Sequence, residues 1–343
     1  MSNLHPPRDF GDGSRRGDRH GGGENCPDDS PILRPAQRSE IHGALQIILA
    51  SNGRLAGEEQ VVDFLRFAMY RGINLNDTWV ASLGGRLLWA ILPVVSPGRT
   101  MLLFAPTHVP PTLKDTTICP LVDRILHHFR DRAVDLAQVL LDPAERSGVA
   151  LFEACGFERL AELIYLDRDV RKPHAAPLPA GFTWETYSPA NHARFAETIA
   201  ATYVNSLDCP LLNGKRQIED VIAGHKASGD FDPHLWSLLL DRGRPVGVAL
   251  LNRSPRTDGV ELVYVGLVPA ARSHGLGDRL IEQALMRAAS VGARRLSLAV
   301  DANNLPALKL YRRHGMSRVC SRLALMRDLR TRAPHDPATL GSA

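Results

Sequence analysis

Shifted by 159 residues, this 343-residue chain falls on itself. The stretch LLDPAERSGVALFEACGF, 140–157, aligns with AVDANNLPALKLYRRHGM, 299–316, so that Asp142 meets Asp301, Leu151 meets Leu310 and Gly156 meets Gly315. The same offset carries Gly84 onto Gly243 and Pro110 onto Pro269, and it lays Arg168 and Asp169 on Arg327 and Asp328, all without a gap. One offset held across most of both halves calls for two copies of one fold, and the length agrees, since single cores rarely grow beyond about 250–300 residues. The Pro-rich ArgLysProHisAlaAlaProLeuProAla, 171–180, is the connection expected between them.

The second copy carries its clearest signal between Glu261 and Met316. Glu261 to Val268 is rich in Val, Leu and Tyr, as a buried strand is, and Pro269 closes it because proline cannot donate to a ladder. Beyond Arg272 the pattern turns helical. Leu276, Leu280, Ala284 and Ala288 form one row and Ile281, Leu285 and Ala289 the next, with Asp278, Arg279, Glu282, Gln283 and Arg287 facing away. Gly292 ends that helix as a left-handed cap, and Leu296, Leu298 and Val300 alternate as a second strand. Strand, loop, helix, strand is the right-handed crossover between parallel strands, and ligands favour the loop at such strand ends.

That loop reads ArgSerHisGlyLeuGly, with Gly275 and Gly277 where strand turns into helix. Glycines there let backbone N–H groups converge on an anion, and the helix N-terminus adds about half a positive charge. Phosphate is the natural guest, although a glycine-rich turn without a ligand has the same composition. No GKS or GKT follows, so this is not a Walker loop, and the third small residue of a dinucleotide fingerprint is replaced by Leu280.

What remains, RxxGxG at a strand-to-helix turn and then NxxAxxLYxxxG from Asn304 to Gly315, resembles the GNAT superfamily of N-acetyltransferases. The likeness runs from Phe182 to about Leu329 and, more faintly, through the upstream copy. It implies an α/β (α+β) fold of two tandem GNAT-like domains, each a mixed, mostly antiparallel sheet with a splayed parallel strand pair, flanked by helices. The expected layout is a disordered tail over 1–38, a degenerate domain over 39–170, a linker over 171–181, a catalytic domain over 182–330 and a flexible tail over 331–343. The resemblance further implies acetyl-CoA as acyl donor. Its pantetheine arm would pair with backbone at Val265, Gly266 and Leu267, and its pyrophosphate would sit on Arg272, Ser273, His274, Gly275, Leu276, Gly277 and Asp278. Backbone N–H groups near Val265 to Leu267 would polarise the thioester carbonyl, an effect worth about 3 kcal/mol.

An acceptor amine with a pKa near 10.4 is almost wholly protonated at pH 7, so a base is useful. Glu261, eight residues before Pro269, stands in the register of the glutamate taken as the base in the mycothiol synthases, which are tandem GNAT proteins with one degenerate half. A strand-end glutamate in a surface ion pair is the competing reading. The position used as base by some ribosomal-protein acetyltransferases is Ala299 here, which argues against their version of the site. Tyr311, completing NxxAxxLY, is the expected proton donor to the departing thiolate, against a purely space-filling role. Asn304 caps its helix or bonds the pantetheine. His274 can at most neutralise phosphate charge, Cys209 is expected as a free packed cysteine, and Trp236, Tyr203 and Asp208 are possible shapers of an acceptor pocket.

The upstream copy lacks this chemistry. Leu113, Thr116 and Ile118 stand at the places of Arg272, Gly275 and Gly277, while Leu102, Glu145 and Phe152 stand at those of Glu261, Asn304 and Tyr311. β-Branched residues in place of glycine crowd a phosphate and disfavour positive φ, so this half is expected to be a scaffold. Five scattered cysteines with no CxxC pair suggest neither a disulfide frame nor a zinc site, and no metal is expected. Forty-one basic and 37 acidic residues are interspersed, without the basic stripe of a nucleic-acid binder. No apolar run approaches a membrane span, and a cytoplasmic address is expected. The expectation is therefore direct acetyl transfer to a primary amine borne by a small molecule, an aminoglycoside-like polyamine or a peptide, with a non-catalytic acyl-CoA sensor as the alternative.

Overall fold

The computed structural model describes residues 30–330, apart from 52, 107–108, 110–112, 114, 172, 174 and 255–257. The Pro110 match, residues 1–29 of the expected disordered tail and the expected tail over 331–343 lie outside the described residues. The N-terminal half runs β1 (Ile32–Pro35), α1 (Ile41–Ile48), α2 (Glu58–Arg71), β2 (Trp79–Leu83), β3 (Arg86–Ser96), β4 (Thr100–Phe104), α3 (Asp115–Arg130), β5 (Leu136–Leu141), α4 (Arg146–Ala154) and β6 (Glu158–Asp169). The C-terminal half runs β7 (Phe182–Thr186), α5 (His192–Thr202), α6 (Ile218–Ala227), β8 (Asp230–Asp241), β9 (Arg244–Arg253), β10 (Gly259–Leu267), α7 (Leu276–Ser290), β11 (Arg295–Asp301), α8 (Leu305–Arg313) and β12 (Ser317–Asp328). The offset reappears here, since β6 and β12 are the same twelve positions 159 residues apart.

Ile32–Pro35 lies inside the expected tail, yet it pairs with β2 as an edge strand. Leu33 packs on the core beneath α3, and Pro35 stands at the strand's end, where its missing N–H is tolerated.

Among the described residues all twelve strands form one sheet, in the order β1-β2-β3-β4-β5-β12-β6-β11-β10-β9-β8-β7. The centre of that order is crossed. The last strand of each copy is inserted into the other, β12 against β5 and β6 against β11, and the two meet antiparallel in the middle. Their ladder is self-symmetric, for Ser317 opposite Asp167 and Met326 opposite Glu158 are one pair under the repeat offset. The matched arginines gain their meaning from this exchange. Arg168 donates to the carbonyl of His314 at the end of α8, and Arg327 donates to the carbonyl of Cys155 at the end of α4, each reaching into the other copy. Cations are favoured at helix C-termini.

The two parallel pairs are β4 with β5 and β10 with β11. Helices cover both faces. α7 buries Leu276, Leu280, Ile281, Ala284, Leu285 and Ala288 on one face of the C-terminal half, and α5 packs Phe195 and Ile199 against Trp236 and Leu250 on the other.

The expectation that no disulfide forms is overturned. Cys119 on α3 is bonded to Cys155 at the end of α4, with Cα atoms 4.9 Å apart. Neither motif nor spacing announces the bond, because it depends on two helices packing side by side with a strand between them in sequence. In the other copy the equivalent positions are Asp278 and His314, and there a hydrogen bond of 2.9 Å spans the same helix contact.

Candidate active site

β10 and β11 pair only from Gly259 opposite Arg295 to Glu261 opposite Ser297. β10 then steps its register against β9 between Leu262 and Tyr264, a bulge that bends the strand, and continues along β9 to Leu267. Its other edge, from residue 262 to 267, has no strand partner among the described residues. The strands open into a cleft of about 550 Å³, walled by β10 on one side and by Ala299 and Val300 of β11 on the other. In the N-terminal half β4 and β5 stay paired from Thr100 to Leu103, β4 ends at Phe104, and Leu113, Ile118 and Phe152 are buried in the core there.

The loop before α7 forms the mouth. Ser273 and Gly275 both take left-handed φ, 64° and 72°, and Gly275 is the residue preceding the first turn of the helix. Glycine adopts that conformation without steric cost. Gly277 serves a different need, since a Cβ there would lie 3.1 Å from Leu310 of α8. Ser273, Gly275, Gly277 and Asp278 line the cleft together with Val265, Gly266, Leu267 and Arg272. His274 and Leu276 do not line it. His274 is exposed with Nδ1 2.6 Å from the Arg272 carbonyl, and Leu276 points into the core.

Arg272 opens the expected phosphate loop, and its guanidinium is committed to backbone. It donates to the carbonyls of Leu267 at 3.1 Å, Thr202 at 2.9 Å, Val204 at 2.8 Å and Asn205 at 2.9 Å, tying the end of α5 to the end of β10. Asp278, in the first turn of α7, is paired with His314 and Arg313. Burial works against its charge, but the hydrogen bonds from His314 and Arg313 hold the carboxyl below its ordinary value.

α8 closes the inner end. Asn304 caps it, accepting from the Ala307 N–H at 3.3 Å, and also lines the cleft. Tyr311, one turn beyond Ala307 and 5% exposed, lines the cleft with a hydroxyl that has no hydrogen-bond partner among the described residues. Burial pushes its pKa up, helped by the charge of Asp208. Across the cleft, the hydroxyl of Tyr264 meets Thr202 Oγ1 at 2.7 Å, and burial pushes that phenol up to about 12.

Glu261 stands apart from this lining. Val260 and Leu262 face α7, so Glu261 between them faces the α5 and α6 side. It lies beside Ser297, and its charge reaches Tyr165 of β6, a residue of the N-terminal half. Burial pushes the Glu261 carboxyl up. Asp208 does line the cleft, which no motif signalled, since it belongs to an irregular loop after α5. Burial raises its pKa, the Asp301 N–H draws it back, and the Asp301 charge raises it again. Cys209 is free, packs against β6 and β12 residues and has its thiol pushed up to about 12 by burial. Trp236 and Tyr203 do not line the cleft; Tyr203 packs on Tyr264 at 5.2 Å, and the Trp236 indole is bonded to Asn252. Among the described residues no group of His, Cys, Asp and Glu is arranged to hold a metal, and no helix is long and apolar enough to cross a membrane.

A wedge between parallel strands with a glycine turn at its mouth defines a class, and residues 202–316 match the acetyltransferase (GNAT) family. The chain is 28% identical over 170 residues to mycothiol acetyltransferase of Jonesia denitrificans, covering 47% of this chain and 53% of that protein. With the enzyme of the same name from Kineococcus radiotolerans it shares 31% over 180 residues, 50% of this chain and 55% of the relative. The chain thus spans about half the length of the curated relatives it matches. Among solved structures, a GCN5-related N-acetyltransferase from Sphaerobacter thermophilus superposes with a TM-score of 0.61 at 18% identity, covering 90% of this chain and 98% of its own. A tandem GNAT protein from the clavulanic acid biosynthesis pathway gives 0.50 at 17%, over 90% and 100%. These likenesses concern the fold.

Proposed function

We propose that this chain transfers the acetyl group of acetyl-CoA directly to a primary amine, using its C-terminal half. The observation that carries the reading is the cleft itself, which joins a helix N-terminus at its mouth to a buried, unpartnered phenol at its inner end. The fit to acetyl-CoA rests on three features: left-handed residues at Ser273 and Gly275 beside the α7 N-terminus, a backbone form suited to gathering N–H groups on an anion, a free strand edge at Val265, Gly266 and Leu267, and the apolar side chains of the cleft wall. The names of the relatives point the same way.

The acceptor nitrogen must lose a proton before it attacks. Glu261 is the proposed base, acting through water from the α5 and α6 side, and burial of its carboxyl makes it a stronger base than an ordinary glutamate. The nitrogen lone pair forms the C–N bond as the C–S bond breaks, Tyr311 gives its proton to the departing thiolate, and the second proton shed by the new amide nitrogen returns to the Tyr311 phenolate through water. The filled cleft of the N-terminal half, with Leu113, Ile118 and Phe152 buried, supports reading 39–170 as a non-catalytic partner of 182–330.

Calorimetric titration of acetyl-CoA into the intact protein and a Gly277→Val variant tests the proposal, followed by thiol release with a panel of primary amines. One site per chain, lost in the variant, together with amine-dependent thiol release is expected. No acetyl-CoA binding to the intact protein would retract it.

A further inference from the structure

Asp208 is a half-buried carboxylate with few partners from the protein. It sits on the loop between α5 and α6, lines the cleft, and has no ion-pair partner among the described residues. Its carboxylate accepts one long hydrogen bond, 3.4 Å from the Asp301 N–H. The neighbouring Asp301 carboxylate, by contrast, is satisfied, accepting from Asn303 N–H at 2.8 Å and Cys209 N–H at 3.2 Å. The arginines bordering this loop are occupied elsewhere. Arg272 binds four carbonyls, and Arg216 donates to the carbonyls of Gly98 and Asp220.

A second, independent feature points at the same spot. Tyr311, 5% exposed, presents an unpartnered hydroxyl to the same cleft. The Asp208 charge reaches Tyr203, Tyr264 and Tyr311 alike. A carboxylate drawn partly out of water is costly without a counter-charge. Among the described residues the cleft therefore offers Asp208 no cation.

We infer that Asp208 is the counter-ion for the acceptor's ammonium group, so that this site selects amines that arrive positively charged, alkylamines rather than arylamines. The inference rests on the acetyl-transfer reading for the word acceptor, but the cation site itself is independent of acetyl-CoA. It also assigns Asp208 and Glu261 different tasks, the first binding the ammonium and the second receiving its proton.

Ligand-observed saturation-transfer NMR on the full chain, with n-propylammonium and its neutral isostere 1-propanol as probes, separates the possibilities. Each probe is titrated into the wild type and the Asp208→Asn, Asp208→Glu and Glu261→Gln variants, with circular dichroism to verify folding and calorimetry of CoA on the same samples. The expected result is that the cation binds at least tenfold tighter than the alcohol. That preference should be lost in Asp208→Asn, kept in Asp208→Glu and in Glu261→Gln, with CoA binding altered less than twofold by Asp208→Asn. Equal binding of the two probes, undiminished cation binding in a folded Asp208→Asn, loss only in Glu261→Gln, or no cation binding at all would each overturn the inference. Cation selectivity without CoA binding would instead retract the acetyl-transfer reading and leave the Asp208 site standing.

Discussion

Tyr311 and Phe152 occupy the same place in the two copies and are both buried, so packing alone does not distinguish them. The hydroxyl does. In the C-terminal half it faces an open cleft, and in the N-terminal half the space is closed around a ring. Tyr311→Phe is therefore expected to keep the fold and the affinity for acetyl-CoA while lowering kcat about 10²-fold, measured as thiol release at saturating donor. Glu261 makes a pH-dependent prediction. Burial raises its pKa, and a base works only when ionised, so the rate should fall as pH drops through a value above the ordinary carboxylate range. In Glu261→Gln the limb set by that carboxyl should vanish from the kcat/KM profile, leaving a low rate that rises with pH only as the acceptor amine itself loses its proton.

Helix packing shows how one contact is met by two chemistries. α7 and α8 are joined by Asp278 with His314, whereas α3 and α4 are joined by the Cys119–Cys155 disulfide at the equivalent positions. Arg313 and His314 satisfy Asp278 at the mouth of the open cleft, while the half whose cleft is filled holds its helices covalently. The disulfide closes a span of 36 residues, for which chain entropy gives about 3–4 kcal/mol of stabilisation. A Cys119→Ser and Cys155→Ser double variant should lose that amount in denaturant unfolding, while acetyl-CoA binding measured well below the transition stays unchanged.

The exchange of β6 and β12 makes the halves structurally interdependent. Without β6, strand β11 becomes an exposed edge beside the cleft, and Arg168 no longer reaches the end of α8. Unpaired edges of this kind invite aggregation. Residues 182–330 expressed alone should thus be insoluble or poorly folded by circular dichroism, and co-expression with residues 30–178 should recover a soluble complex, read by co-purification. A stable, acetyl-CoA-binding isolated half would show that the exchanged strand is dispensable.

The sequence by itself determined what depends on local pattern. The repeat offset, the helical rows of α7, the strand stopped by Pro269 and the glycines of the mouth all lie within short spans, where periodicity and backbone conformation leave a direct trace. Tertiary structure alone decided what depends on contacts between distant segments. Which strand pairs with which at the sheet centre is invisible to a repeat, because β6 and β12 hold equivalent places in the two copies. The Cys119–Cys155 bond, the capture of Arg272 by carbonyls at the end of α5 and the arrival of Asp208 on the same cleft as Tyr311 follow from helices and loops meeting in space. The sequence marks the residues that can bear chemistry, and only packing brings them within a few ångströms of one another.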